Sequence, residues 1–276
     1  MSTAMPEIPV LFVGDAERSE FREARAALDV SGCVICVGDA TSAENALRDG
    51  RIAPEVIVLA QAYPSQFSHE AVDRLRRLAP LARIVGLLGS WCEGEMRTGK
   101  PWPATLRLYW HQWPAGCDQQ FSQMRQGACS TWALPITATD EERLLLAAEG
   151  PTAKTGQGLI AIFTPRYEMQ DWLSSACRAR GHSTVWLRPP RPARVEGAVA
   201  VLFDGTDCRA EEWVALKDLT TAVSPLPGAP NVPIIALLDF PRIEDQRRAL
   251  SAGAAAVLSK PLLVDDLFWQ LDAINC

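Results

Sequence analysis

The stretch Pro233-Ile-Ile-Ala-Leu-Leu-Asp-Phe-Pro-Arg-Ile-Glu-Asp-Gln-Arg-Arg-Ala-Leu-Ser-Ala-Gly-Ala-Ala-Ala-Val-Leu-Ser-Lys-Pro261 spells a strand, a helix and a second strand. Pro233–Leu238 is an unbroken apolar run of strand length. Ile243–Ala252 follows as a helix that stops at Gly253, a residue suited to the left-handed turn that ends helices. Ala255–Leu258 is the second apolar run. Strands that are apolar throughout are buried on both faces, as in a parallel sheet whose crossovers are helices.

Outward from there the same alternation continues. Val264–Ala273 reads as a last helix. Upstream lie a strand at Leu159–Phe163, a helix at Met169–Arg180, and strands at Thr184–Leu187 and Ala198–Phe203. A helix at Ala210–Val223 follows. The first half repeats the order, with strands at Val10–Val13, Cys33–Val37, Val56–Leu59, Arg83–Leu88 and Leu106–Trp110. Its helices fall at Ala16–Leu28, Thr41–Asp49 (capped by Thr41 or Ser42), His69–Leu78 and Asp118–Arg125. Two crossovers depart from the rule. Cys92–Pro103 contains Gly94, Gly99, Pro101 and Pro103, which predicts a short turn or an irregular loop. Between Leu187 and Ala198 lie ten residues with three prolines, near the lower limit for a parallel crossover. An extended segment is expected there, leaving part of one sheet face uncovered. The chain therefore divides into a domain at 1–126, a connector at 127–157 with a helix-like stretch at 140–148, and a domain at 158–276. The class is α/β, with helices on both faces of parallel sheets.

Composition fits two soluble cores: of 276 residues, 48% are hydrophobic and 22% charged, and the net charge is −6. No basic stretch of the kind nucleic-acid binding needs is present. No 18-residue apolar run and no leader pattern occur, so no membrane contact and a cytoplasmic location are expected. The cysteines are scattered. Cys33 and Cys36 have a metal or redox spacing, but on a strand they point to opposite faces. Buried free thiols and no metal site are expected. Only four residues are lysines, at 100, 154, 217 and 260.

The run at 233–261, with its strand, its helix closing on Ala252-Gly253-Ala254, its short strand and its Lys260-Pro261, resembles the receiver domain of bacterial two-component response regulators. The resemblance implies two flavodoxin-like (receiver-like) domains in tandem, each a five-stranded parallel sheet of order 2-1-3-4-5. It also implies a phosphoryl-transfer pocket of five parts. An acidic pair after the first strand and an Asp ending the third hold Mg²⁺ and accept phosphate. A Ser or Thr ends the fourth strand, and the Lys of Lys-Pro pairs with phosphoryl oxygens. In the second repeat Asp204 and Lys260-Pro261 match, while Thr164-Pro165 stands at the acidic pair and Leu238 at the hydroxyl position. In the first repeat Asp15, after Gly14, is one acid of the pair. There Ala60 replaces the Asp, the fourth strand ends near Gly89, and Trp113-Pro114 stands at Lys-Pro. Asp204 before Gly205 is also an ordinary turn pattern, and Lys260 an ordinary strand end. A retained Asp204–Lys260 ion pair is the favoured expectation. Without its acidic ligands Mg²⁺ should not bind.

Trp102, Tyr109, Trp110, His111 and Trp113 crowd the first repeat's last strand. Neighbours on a strand cannot all face the core, so Trp102, Tyr109 and Trp113 are expected on a partner surface. These readings point to a regulatory protein without catalysis or cofactor. It would act through two pseudo-receiver domains, independently of phosphorylation, on a protein partner or by self-association. No output domain is expected after the second repeat, so surfaces of the repeats or of the connector would carry the output. The alternatives are a stand-alone response regulator phosphorylated on Asp204, and a sensor holding a small ligand in pockets vacated at Gly14, Gly89 or Leu238.

Overall fold

A computed structural model describes residues 7–93, 95, 99–103, 105–128, 130, 132, 134, 138, 142, 158–190, 192–224, 231–260, 262 and 264–274. The chain forms two compact units, Met1–Leu146 and Ala147–Cys276.

The first unit carries β1 (Ile8–Val13), α1 (Arg22–Ser31), β2 (Gly32–Val37), α2 (Ala40–Arg48), β3 (Val56–Gln61), α3 (His69–Leu78), β4 (Arg83–Leu88), β5 (Leu106–Tyr109) and α4 (Trp113–Arg125). Its sheet has the order β2-β1-β3-β4-β5, which is 2-1-3-4-5, and every pairing is parallel. α1 packs with α4, and α2 with α3. α2 is capped by Asp39, ahead of the expected Thr41 or Ser42, because its Oδ1 accepts from the Ser42 N–H at 2.8 Å.

After β4 comes one turn of 3-10 helix, Ser90–Cys92, and further along this crossover Trp102 packs onto the sheet. Trp102 is buried among Leu59, Phe67, Val72 and Ile84, and its indole N–H donates to the Phe67 carbonyl at 3.0 Å. Gly86 of β4 makes room, since a Cβ there would lie 3.1 Å from Trp102 Cζ3. Trp113 is likewise fully buried, with the Trp132 ring at 5.6 Å and Phe121 completing the group. Trp102 and Trp113 are therefore interior, which corrects the expectation that they sit on a partner surface; Tyr109 is half-buried. Alternation along β5 misled because both tryptophans lie outside the strand. The packing of Trp132 also carries the first unit past residue 126. The helix expected at 140–148 falls, apart from Glu142, outside the described residues.

The second unit carries β6 (Leu159–Phe163), α5 (Tyr167–Ala179), β7 (Ser183–Leu187), β8 (Val195–Glu196), β9 (Ala198–Asp204), α6 (Ala210–Ala222) and β10 (Val223–Ser224). It continues with β11 (Ile234–Asp239), α7 (Ile243–Ser251), β12 (Ala256–Lys260) and α8 (Val264–Ile274). The sheet order β7-β6-β9-β11-β12 is again 2-1-3-4-5 within the unit, all parallel. The described residues between β7 and β8 form no helix. The sequence reading did not foresee β8, which pairs with β10 through Val195↔Val223 and Glu196↔Ser224. Both valines join the core of Phe163, Leu187, Phe203 and Leu216, so this small ribbon covers part of the face that a helix would have covered.

Trp102→Ala is expected to lower stability by about 3–5 kcal/mol through the cavity it leaves. Gly86→Ala should cost stability in the parent chain and none in the Trp102→Ala background. Denaturant titrations of the two single variants and the double variant measure that coupling.

Candidate functional site

Parallel strands end at one edge of their sheet, and in the second unit that edge gathers the charged residues. Asp204 closes β9 with its side chain wholly shielded from solvent, and Lys260 closes β12 with 8% exposed. The Lys260 ammonium donates to Asp204 Oδ1 at 2.5 Å and to the Gly205 carbonyl at 2.7 Å, and lies 3.0 Å from Asp239 Oδ1. Thr164, the buried residue after β6, donates its hydroxyl to Asp204 Oδ2 at 2.6 Å.

Arg166, which precedes α5, had no place in the sequence reading. Its Nε donates to Asp204 Oδ2 at 3.0 Å and its Nη2 to Oδ1 at 2.5 Å, a two-pronged grip on both oxygens. The Arg166 N–H in turn donates to Thr164 Oγ1 at 3.1 Å. Asp204 thus accepts four hydrogen bonds, about the full capacity of a carboxylate. Burial pushes its pKa up. The hydrogen bonds from Arg166, Lys260 and Thr164, with the Lys260 charge, outweigh burial and hold the carboxyl below the ordinary aspartate value. With Asp239 the cluster has two cations and two anions, so it is neutral without a metal. Leu238 is buried and would lie 2.7 Å from a Cβ on Gly205, so its position is filled with hydrocarbon. Pro261 lies outside the described residues.

The first unit fills the same edge differently. Gly14, at a φ of +131°, sits so tightly on β3 that a Cβ would meet the Ala60 carbonyl at 2.7 Å. Asp15 is exposed and accepts from the Glu17 N–H at 3.0 Å, a local turn. Glu20 crosses the edge. Its Oε1 accepts from the Ser90 N–H at 2.9 Å and from the Ser90 hydroxyl at 2.5 Å, and Arg18 Nε donates to Oε2 at 2.8 Å. Burial raises the Glu20 pKa, but the Ser90 and Arg18 hydrogen bonds bring it below the usual glutamate value. A Cβ on Gly89 would lie 2.9 Å from Glu20 Oε2. Gly14, Gly89 and Leu238, which the ligand alternative would use to line a pocket, are thus closely packed by their described neighbours. A cleft lined by Glu55, Arg83, Ser130 and Trp132 lies instead at the edge where β3 and β4 begin.

Strand register also moves one equivalence. Leu238↔Ser259 and Asp239↔Lys260 correspond to Leu88↔Tyr109 and to Trp110, whose N–H donates to the Leu88 carbonyl. The first unit's counterpart of Lys260 is thus Trp110, and Trp113 instead opens α4. Nearby His111 is buried, and burial pushes its ring down to about 3, so it is neutral at physiological pH. Cys33 and Cys36 are exposed rather than buried, and Arg25 Nε donates to Cys36 Sγ at 2.9 Å. Among the described residues, no group of three or more His, Cys, Asp or Glu side chains is placed to hold a metal ion.

Removing the enclosed partner should cost more than removing the exposed one. Lys260→Met is expected to destabilise the second unit by about 3 kcal/mol, by leaving buried carboxylate charge less compensated. Arg166→Met should cost under about 1 kcal/mol, since its side chain is 39% exposed and water screens it. Because the folded carboxyl of Asp204 is depressed, its contribution is present above the unfolded aspartate value near pH 4 and fades as pH falls through the lower folded value. Calorimetry below about pH 4 should show a shallower loss of Tm in Asp204→Asn than in the parent.

No protein-family model matches the chain, and no curated protein matches it. Among solved structures it is similar to a two-component system response regulator/GGDEF domain protein, at 12% identity and a TM-score of 0.34, covering 98% of each chain. It is also similar to the E. coli RcsC C-terminus, with its linker region and phosphoreceiver domain, at 14% identity and a TM-score of 0.32. That match covers 99% of this chain and 94% of the other. Full-length ShkA in complex with AMPPNP is a further match at 16% identity and a TM-score of 0.31, covering 99% of this chain and 51% of that one. At these levels the matches carry no conclusion about activity, and the site stands on its own geometry.

Proposed function

We propose that this chain is a non-catalytic regulatory protein whose two domains are pseudo-receivers, acting by contact with a protein partner or a second copy and without phosphorylation. The observation that carries this reading is the Arg166 guanidinium on both oxygens of Asp204. To accept a phosphoryl group, a carboxylate oxygen must present a free lone pair in line with the phosphorus, beside a divalent cation that neutralises the transferring oxygens. Here each oxygen already holds two donors, and a guanidinium stands on the carboxylate that would help to bind the metal. The first unit has no carboxylate at the equivalent position, because Ala60 stands there.

The same reading assigns the protein no enzymatic activity, no cofactor and no nucleic-acid or membrane partner. The net charge of −6 supports the absence of a nucleic-acid role. None of the described helices is long and apolar enough to cross a membrane. We place the protein in the cytoplasm, where thiols stay reduced, in keeping with six free cysteines among the described residues.

Incubation with acetyl phosphate and MgCl2, followed by intact-mass measurement, should leave the mass of the full chain unchanged. A phosphoryl adduct that disappears in Asp204→Ala would overturn the reading and make the chain a phosphorylated response regulator.

A further inference from the structure

The charge cluster around Asp204 continues outward to the protein surface. The Thr164 carbonyl accepts from Trp186 Nε1 at 2.9 Å, so the last turn of the pocket also fixes an indole on β7. The Arg188 guanidinium stacks over that indole at 3.8 Å, and the Tyr167 ring lies 6.0 Å from it. Tyr167 is 62% exposed, and Arg188, Pro189, Pro190, Ala193 and Arg194 are exposed as well. Buried Leu187 anchors one end of this crossover, and buried Val195 in β8 anchors the other. The sequence from 188 to 194 holds three arginines, three prolines and no acid, inside a chain of net charge −6.

We propose that this crossover, with Trp186 and Tyr167 beside it, is a docking ridge for a short acidic polypeptide segment. The inference rests on the reading of the chain as a protein-interaction module and names the surface and the partner's chemistry. Guanidiniums bind carboxylates through paired hydrogen bonds, and aromatic and arginine side chains are the commonest anchors of protein interfaces. Prolines have no N–H to donate, so recognition falls to the side chains. The ridge is held at both ends, which reduces the ordering cost of binding. A polypeptide is favoured over a nucleic acid by size and field. Seven residues span at most about 25 Å, and a long polyanion would run off the ridge onto a protein of the same sign. Glu168, next to Tyr167, and Glu196, two residues past Arg194, are exposed as well.

The test uses the full chain and a fluorescein-labelled peptide, Glu-Glu-Leu-Glu-Glu-Phe-Glu, read by anisotropy. Saturable binding is expected, weakened about tenfold or more in Arg188→Glu/Arg194→Glu and about threefold in Tyr167→Ala. Arg22→Glu/Arg77→Glu makes the same change of charge on exposed arginines of the first unit and should leave binding unchanged. Circular dichroism of each variant checks the fold. Absence of binding overturns the proposal, as does an equal loss in the first-unit variant. Tighter, ridge-dependent binding of a single-stranded oligonucleotide or of phosphatidylserine vesicles overturns it too, as does ridge-dependent dimerisation in sedimentation. The mass measurement on Asp204 decides the non-catalytic reading separately, so the two can fail independently.

Discussion

A buried carboxylate must be matched by donors, and Asp204 is the residue around which the second unit's functional edge is organised. Its four hydrogen bonds come from two places far apart in the chain: the short β6–α5 junction, with Thr164 and Arg166, and the end of β12, with Lys260. Each donor draws in a neighbour. Lys260 also holds the Gly205 carbonyl, and Thr164 also holds the Trp186 indole through its own carbonyl. A group that ties strands together in this way works as a structural rivet. On the proposed reading, the cost of unpairing it keeps its oxygens from serving as nucleophiles.

The first unit meets the same demand without a central acid. Where β3 would offer a carboxylate it has Ala60, packed beneath Gly14, and the loops above are drawn together by Glu20 on Ser90. The buried Gln61 and Glu95 side chains and the half-buried Arg107 form a second polar group nearby, with Arg107 Nη2 on Glu95 Oε2 at 2.5 Å. In the crossover between β4 and β5 the large ring of Trp102 packs on the sheet, and it fits because the strand below gives up a side chain at Gly86.

The strand and helix order was legible because buried parallel strands are apolar throughout and their connecting helices are amphipathic, two patterns that survive without any alignment. The Asp204–Lys260 pair was legible through its spacing within a resemblance. Arg166 was not, because an arginine just past a strand carries no periodic signal and its partner lies 38 positions away. Nor was the burial of Trp102 and Trp113, since periodicity on β5 says nothing of tryptophans in the loop before it and the helix after it. The exposed Cys33 and Cys36 were misjudged because β2 is an edge strand of its sheet.

The β8–β10 ribbon consists of two residue pairs joining segments distant in the sequence. Ribbons this short open at a small fraction of the free energy that unfolds the whole domain. The crossover before β8 is therefore anchored by a sheet strand at one end and by two residue pairs and a buried valine at the other, so its amide hydrogens are expected to exchange sooner than those of the sheet behind it. A partner bound at the proposed ridge should register as slowed exchange at Val195 and Val223.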